Sequence, residues 1–354
     1  MNNNTSLKSS SREKDNILLR IYRNPYFRYI IFGAILALIP IASGMNILPS
    51  SYITIMGSVM IYSIVGIGLN LLLGYSGLIS LGTAGFMGLA AYVTGYLSVN
   101  VNAPFIVALA VSIFVVVLIG VIVGFVSLRV AGIYLAIATL CVSEILRKTF
   151  EELEWLTNGF SGLNASFPRL FGIQLNRKST YFLIVVVLIL VMMLTHNLVK
   201  GQMGRALHAM RESEVAAQAM GVNLLKYRLV VFAIATAYAA IGGALYIFFI
   251  RFSIPGTWTM ALSLNILGAV VIGGLRSIYG TVIGCFVIFA IPDIVLKPLF
   301  GDVNGLQYVF SGLVVILVIL FYPAGVKNMR EDFFRLCRFL KKKINERKGK
   351  GEIQ

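Results

Sequence analysis

Long apolar runs separated by short polar stretches set the pattern of this chain. Ten runs read as membrane-crossing helices by length and hydropathy: Tyr29–Leu48, Tyr52–Leu73, Gly77–Val99, Pro104–Leu128, Ala131–Lys148, Thr180–Val199, Leu229–Ile250, Met260–Leu275, Ile278–Leu296 and Gln307–Tyr322. The runs are continuous rather than alternating, so the pattern predicts an all-α polytopic membrane protein and not a β-barrel. Two runs are irregular. The stretch GYSGLISLGTAGFMGLAAY, Gly74–Tyr92, holds five glycines and no charge, and Asn265–Gly284 holds Gly268, Gly273, Gly274, Gly280 and Gly284. Each glycine costs a helix about 1 kcal/mol relative to alanine. Membrane helices accept that cost where backbone lines a cavity or where helices touch closely. Paired glycine-broken segments, one in each half, point to a pathway built from internal repeats, although the two stretches do not align residue by residue. The first is expected to be a broken helix or a tight helix contact beside a path, with Ser80 and Thr83 supplying polar atoms. Small-residue packing away from any path is the other reading.

Composition agrees with the pattern. Hydrophobic residues make up 58% of the 354 residues and charged residues 12%, with a mean hydropathy of +0.87. A soluble chain of this length could not hide so much apolar surface. The net charge of +16 is not spread as for nucleic-acid binding. Six basic residues precede Tyr29, five lie from Lys200 to Arg228 and ten follow Ala324. Positive charge collects on the cytoplasmic side. An even number of spans with a cytoplasmic N-terminus puts all three blocks there and sends the mixed-charge loop Glu151–Lys178 outside. This divides the chain into a basic segment (residues 1–28), a permeation domain (29–326) with a central cytoplasmic loop (200–228), and a basic tail (327–354). In the tail, Phe333, Leu336, Leu340 and Ile344 recur at helical spacing among Arg335, Lys341, Lys342 and Lys343, as in a helix lying on an anionic leaflet. The first apolar run follows a basic stretch but lacks a clear cleavage site, so it reads as a retained span.

Chemistry-bearing patterns are sparse. No phosphate-cradling P-loop sequence occurs, His196 and His208 do not make a metal-ligand pair, and Cys141, Cys285 and Cys337 suggest neither a disulfide framework nor a metal site. An enzyme is not indicated, and no cofactor is expected on this chain. Glu144 and Asp293 are the acids placed within spans, both toward span ends. Interfacial anchoring, with Arg147 and Lys148 pairing to Glu144, and a proton relay are the two readings of these acids. The central segment KGQMGRALHAMRESEVAAQAMGVNLLKYRLVVF reads as a short helix, a glycine turn at Gly221 and a helix capped by Asn223. Small residues at Ala216, Ala217 and Ala219 would let another protein approach; a plain connector is the alternative.

Five segments in order carry a resemblance. GYSGLISLGTAGFMGLAAY and GRALHAMRESEVAAQAMGVN resemble signature segments of the LivH/LivM-type permeases. LTNGFSGL, GAVVIGGLRSIYGTVIG and FYPAGV are similar to further motifs of the same family, with Asn158 and Arg276 standing where the motifs have glycine. The resemblance covers Gly74 to Val326. It implies an ABC importer permease fold with an internal repeat, a LivM-type subunit moving branched-chain or related small amino acids across a bacterial cell membrane, both termini cytoplasmic. It implies a second, LivH-like permease subunit, two ATPase subunits that use ATP and Mg, and an extracytoplasmic binding protein. The segment from Gly204 to Gly221 corresponds to the loop that docks on the ATPases, with Gly204, Arg205, Arg211, Glu212, Glu214, Ala216, Ala217 and Gly221 at its matching positions. Its spacing from Glu214 to Gly221 is one residue longer than the common importer pattern. Gly74, Tyr75, Gly77, Ser80, Leu81, Gly82, Thr83, Phe86 and Gly88 fall beside the expected path. Urea, short amides or nucleosides are alternative cargoes for the same machinery, and a self-sufficient carrier or channel is the alternative of another class.

Overall fold

The computed structural model describes residues 25–44, 49–127, 132–170, 173–301 and 305–321. Most of the basic N-terminal segment, the expected amphipathic tail, Cys337 and nearly all of FYPAGV lie outside these residues. A helix stands at each of the ten apolar runs. We label the helices α1 (Pro25–Gly44), α2 (Ser51–Asn70), α3 (Thr83–Asn100), α4 (Phe105–Ser127), α5 (Ile133–Glu152), α6 (Arg177–Lys200), α7 (Gln202–Glu212), α8 (Glu214–Ala219), α9 (Leu224–Ile250), α10 (Met260–Gly273), α11 (Ile278–Cys285) and α12 (Leu306–Phe321). The short helices α7 and α8 form the central hairpin. Among the described residues, seven helical stretches are long and apolar enough to cross a membrane. Three of the ten helices fall short: α3 is glycine-rich, α5 carries five charges and α12 has 16 residues.

Several boundaries differ from the sequence expectation, and two of them bear on buried polar groups. Helix α3 begins at Thr83, six residues late, because Gly77 adopts φ +74° and residues 77–82 are not helical. Helix α5 runs on to Glu152, which draws Glu151 out of the expected outer loop. Glu151 is buried and pairs with Arg147 and Lys148, the latter at 2.7 Å, while Arg147 also holds Glu144. Acids and bases one turn apart neutralise each other where isolated charge is costly. The anchoring reading of Glu144 therefore has its geometry.

Helix α9 is the hub. It packs on α2, α3, α4 and α6, while α10 and α11 pack on each other and both on α2. Over its most apolar stretch the span containing α2 is 78% buried, against 17% for α1 and 22% for α4, so α2 belongs to the core and α1 and α4 lie at the periphery. Apolar side chains such as Phe114 and Ile122 on α4 remain exposed, as expected of helices whose solvent is lipid. Away from the hairpin, β1 (Leu163–Asn164) pairs with β4 (Phe252–Ser253), and β2 (Arg169–Leu170) forms a small hairpin with β3 (Ile173–Gln174). Between β4 and α10 the chain turns inward and buries Trp258, whose indole N–H donates to Ser253 Oγ at 2.9 Å.

Candidate functional site

The break between α2 and α3 begins in a π-helical turn, Leu71–Tyr75, and ends at Gly82. A helix that starts inside the bundle leaves its first N–H groups without helical partners. Hydroxyl side chains from neighbouring helices meet this need. Thr139 Oγ1 accepts from Leu81 N at 3.0 Å, Ser263 Oγ from Ala84 N at 3.0 Å and Ser143 Oγ from Gly85 N at 2.9 Å. These three N–H groups are therefore satisfied in place, as irregular backbone at membrane depth requires. Ser80 and Thr83 are buried and, with Thr236, face a void of about 20 Å³, room for about one water. Phe86 packs edge-on against Phe232, and Gly88 lies against Trp258 and Phe150.

The two glycine stretches meet each other. Asn70, one residue before the π turn, donates from Nδ2 to Thr281 Oγ1 at 2.7 Å and to Ser277 O at 3.1 Å, and its Oδ1 accepts from Arg276 N at 3.0 Å. Tyr75 Oη donates to Arg276 O at 3.0 Å. Gly74 sits where a Cβ would strike Asn70 Oδ1 and approach Arg276 N to 2.9 Å, so a side chain here would push the two breaks apart. In the second stretch, Gly274 turns the chain with φ +96°, while Gly273, Gly280 and Gly284 hold α10 against α11 and Gly268 faces Val315 of α12.

The hairpin joins the same point. Arg211, at the end of α7, donates from Nη1 to Gly74 O, and Arg276 Nε donates to the same oxygen at 3.1 Å. Arg276 Nη2 reaches Glu212 Oε1 at 3.4 Å. Partial burial, and then the neighbouring Arg276 cation, push the Arg211 guanidinium below its ordinary pKa, with Glu212 opposing them. Two cations converging on one carbonyl are thus held together by that oxygen and by Glu212. Elsewhere on the hairpin, Glu214 pairs with Arg228, Ser213 caps α8, Gly221 turns with φ +83° and Asn223 caps α9 through Lys226 N at 3.0 Å. Gly204 packs so closely that a Cβ would collide with Val199 O, and Arg205 is exposed. Ala217 needs correction: it is buried, so its small size seats the hairpin on its own chain, whereas Ala216 and Ala219 are exposed.

Comparison with known proteins places this architecture. The profile of the branched-chain amino acid transport system permease component matches residues 51–319. This chain belongs to that permease family. It is 29% identical over 78% of its length to the high-affinity branched-chain amino acid transport system permease protein LivM of Escherichia coli (strain K12), covering 70% of that protein, and 30% identical, with the same coverage, to LivM of Salmonella typhimurium. A probable branched-chain amino acid transport permease protein LivH of Methanocaldococcus jannaschii is 30% identical over 60% of the chain and 63% of that protein. No solved structure matches the chain significantly.

Several residues that build the site in this permease gave only a weak sequence signal. Asn70, Thr139, Ser143, Ser263 and Thr281 are single polar residues inside apolar runs, and each is buried and hydrogen-bonded across helices. Val215 and Met220 are 78% and 84% exposed on the hairpin, an apolar surface that the count of alanines did not suggest. Positions 158 and 276, where the motifs have glycine, both take left-handed backbone here, with φ +58° for Asn158 and +63° for Arg276. Asparagine tolerates that region; an arginine there is strained by roughly 1–3 kcal/mol. Arg276→Gly removes this strain and keeps the main-chain bond to Asn70, but deletes the contacts to Gly74 and Glu212. It is expected to change the unfolding free energy by no more than about 1 kcal/mol while slowing transport, read by thermal melting beside uptake. A large loss of melting temperature would show that the arginine is structural only.

Proposed function

We propose that this chain is a membrane-spanning permease subunit of an ABC importer for branched-chain amino acids, moved by ATPase subunits that dock on its α7–α8 hairpin from the cytoplasm. The observation that carries the reading is the convergence of Arg211 and Arg276 on Gly74 O, with Glu212 paired to Arg276, which ties the hairpin to both helix breaks at one atom. A force on the hairpin is thereby delivered to the ends of α2 and α10 and the start of α11. Exposed Val215 and Met220, with exposed Ser213, Glu214 and Gln218 near them in sequence, offer a docking surface of apolar and polar groups. The basic residues between Lys200 and Arg228 favour a cytoplasmic hairpin. ATP and Mg belong to the partner subunits, a second LivH-like permease completes the path, and an extracytoplasmic protein delivers the amino acid on the opposite side.

Glu214→Arg tests the docking role. In the pair with Arg228 the Glu214 side chain is 55% exposed and Arg228 13%, so the pair is half open to water and its loss costs about 1 kcal/mol; the variant is expected to insert and assemble. ATP-dependent leucine uptake by the reconstituted importer should be lost. Wild-type uptake by the variant would remove the hairpin from the drive, and uptake by the chain without ATPases would overturn the importer reading.

A further inference from the structure

A cavity of about 320 Å³ lies between α2, the inward loop before α10, and the continuation of α11. Its volume is within the usual range for small-molecule sites, roughly 300–1,000 Å³. Its loop residues Gly256, Thr257 and Thr259 follow β4, and Thr54 is in the first turn of α2, so the cavity is at the end of the bundle opposite the hairpin. Its lining meets the second glycine stretch only at that stretch's first residue, Asn265, and includes none of Asn70, Gly74, Tyr75, Arg211 or Arg276, which separates it from the junction described above.

Three features of the cavity point to a ligand. Its walls divide into a polar set, including Ser58, Tyr62, Thr257 and Asn265, and an apolar set, Ile55, Leu262 and Phe289. Asp293 adds a carboxylate inside an apolar span, a placement that marks functional positions in membrane helices. Finally, α11 continues as two π-helical turns, Phe286–Ala290 and Pro292–Leu296, and these carry Phe289 and Asp293. Such turns interrupt the i→i−4 ladder at a cost and recur at functional sites. Tyr62 stacks on Phe289 at 4.2 Å between ring centroids, fixing one wall.

We propose that this cavity binds the amino acid itself on its way through the permease, with Asp293 receiving the α-ammonium group, the hydroxyls and Asn265 donating to the carboxylate, and Ile55, Leu262 and Phe289 covering the aliphatic side chain. The inference rests on the amino-acid reading above and adds a place and an orientation to it. Charge balance favours a zwitterion over a cation. Asp293 Oδ1 is 2.8 Å from Lys297 Nζ, so the site already has a matched pair and admits a ligand of zero net charge without a buried excess. The apolar wall favours an aliphatic side chain over urea or a short amide.

The test uses the complete assembled importer carrying Ser58→Cys, with Cys141→Ser and Cys337→Ser; Cys285 is fully buried and remains. The rate of modification by a polar methanethiosulfonate is measured with leucine, with 4-methylpentanoate, which lacks the ammonium group, and with urea. Leucine at roughly ten times its dissociation constant is expected to slow modification about tenfold, and the other two to leave it unchanged. Asp293→Asn added to this background should abolish leucine protection. If that variant fails to assemble, the contrast between leucine and 4-methylpentanoate decides alone. No protection by leucine, equal protection by 4-methylpentanoate or urea, or protection surviving Asp293→Asn overturns the site. ATP-dependent leucine uptake by the unaltered importer is scored separately: uptake without protection removes the site and keeps the importer, while protection without uptake does the reverse.

Discussion

Arg211→Ala is expected to lower ATP-driven leucine uptake by roughly ten- to a hundredfold while the importer still assembles. A hydrogen bond from a charged donor contributes about 1.5–3 kcal/mol, and each 1.4 kcal/mol is a factor of ten in an equilibrium. Arg211 supplies such a bond between the end of α7 and Gly74 O. Without it, the hairpin retains its seat through buried Leu207, Met210 and Ala217, so folding has other support. What is lost is the direct link from hairpin to the broken end of α2. Arg276 still holds Gly74 O at 3.1 Å, but its own tie to the hairpin is the longer 3.4 Å contact with exposed Glu212. Arg276 is therefore a poor substitute as a transmitter. Lysine at position 211 keeps the charge without the guanidinium fork and should give an intermediate rate. The measurement is uptake by proteoliposomes beside ATPase activity stimulated by loaded binding protein. Uptake at the wild-type rate in Arg211→Ala would show that force does not pass through Gly74.

Much of this arrangement was legible from the chain alone, because membrane helices announce themselves by hydropathy and glycine marks their breaks. The ten runs each carry a helix, and the break predicted within Gly74–Tyr92 is present, with Gly77 in the left-handed region. The hairpin was legible for a different reason: Gly221 and Asn223 are strong local signals for a turn and a cap. Tertiary pairings were not. Nothing in the spacing of Asn70 and Thr281, 211 positions apart, says that they bond, nor that the two glycine stretches share Arg276. Buried hydroxyls such as Ser143 and Ser263 look like ordinary small residues until the unpaired N–H groups they meet are known. Ala217 was misread for the same reason, since a small residue fits equally well a surface for a partner and a tight seat on the same chain.

The contact between α10 and α11 makes the sharpest stability prediction. A Cβ on Gly280 would run into the carbonyl of Gly273, a Cβ on Gly273 would meet the backbone at Gly280, and one on Gly284 would strike Ala269 O. Each obstacle is main chain, which cannot rotate aside as a side chain does. Gly280→Leu must therefore separate the helices. Separation also strains Asn70's bonds to Ser277 O and Thr281, because both acceptors sit at the start of the displaced helix. The overpacking alone costs about 1–3 kcal/mol, and broken buried hydrogen bonds add about 1–3 kcal/mol each. Gly280→Leu is expected to melt well below wild type, or to fail to assemble. Gly312→Ala in α12 is the matched control: a Cβ there meets nothing within 4 Å, so the change should leave stability unaltered or raise it by up to about 1 kcal/mol. Thermal unfolding of the two purified variants in one detergent reads both. Equal melting temperatures for Gly280→Leu and wild type would mean that the two helices do not touch, and the junction at Gly74 would lose the rigid wall on which Asn70 and Arg276 depend.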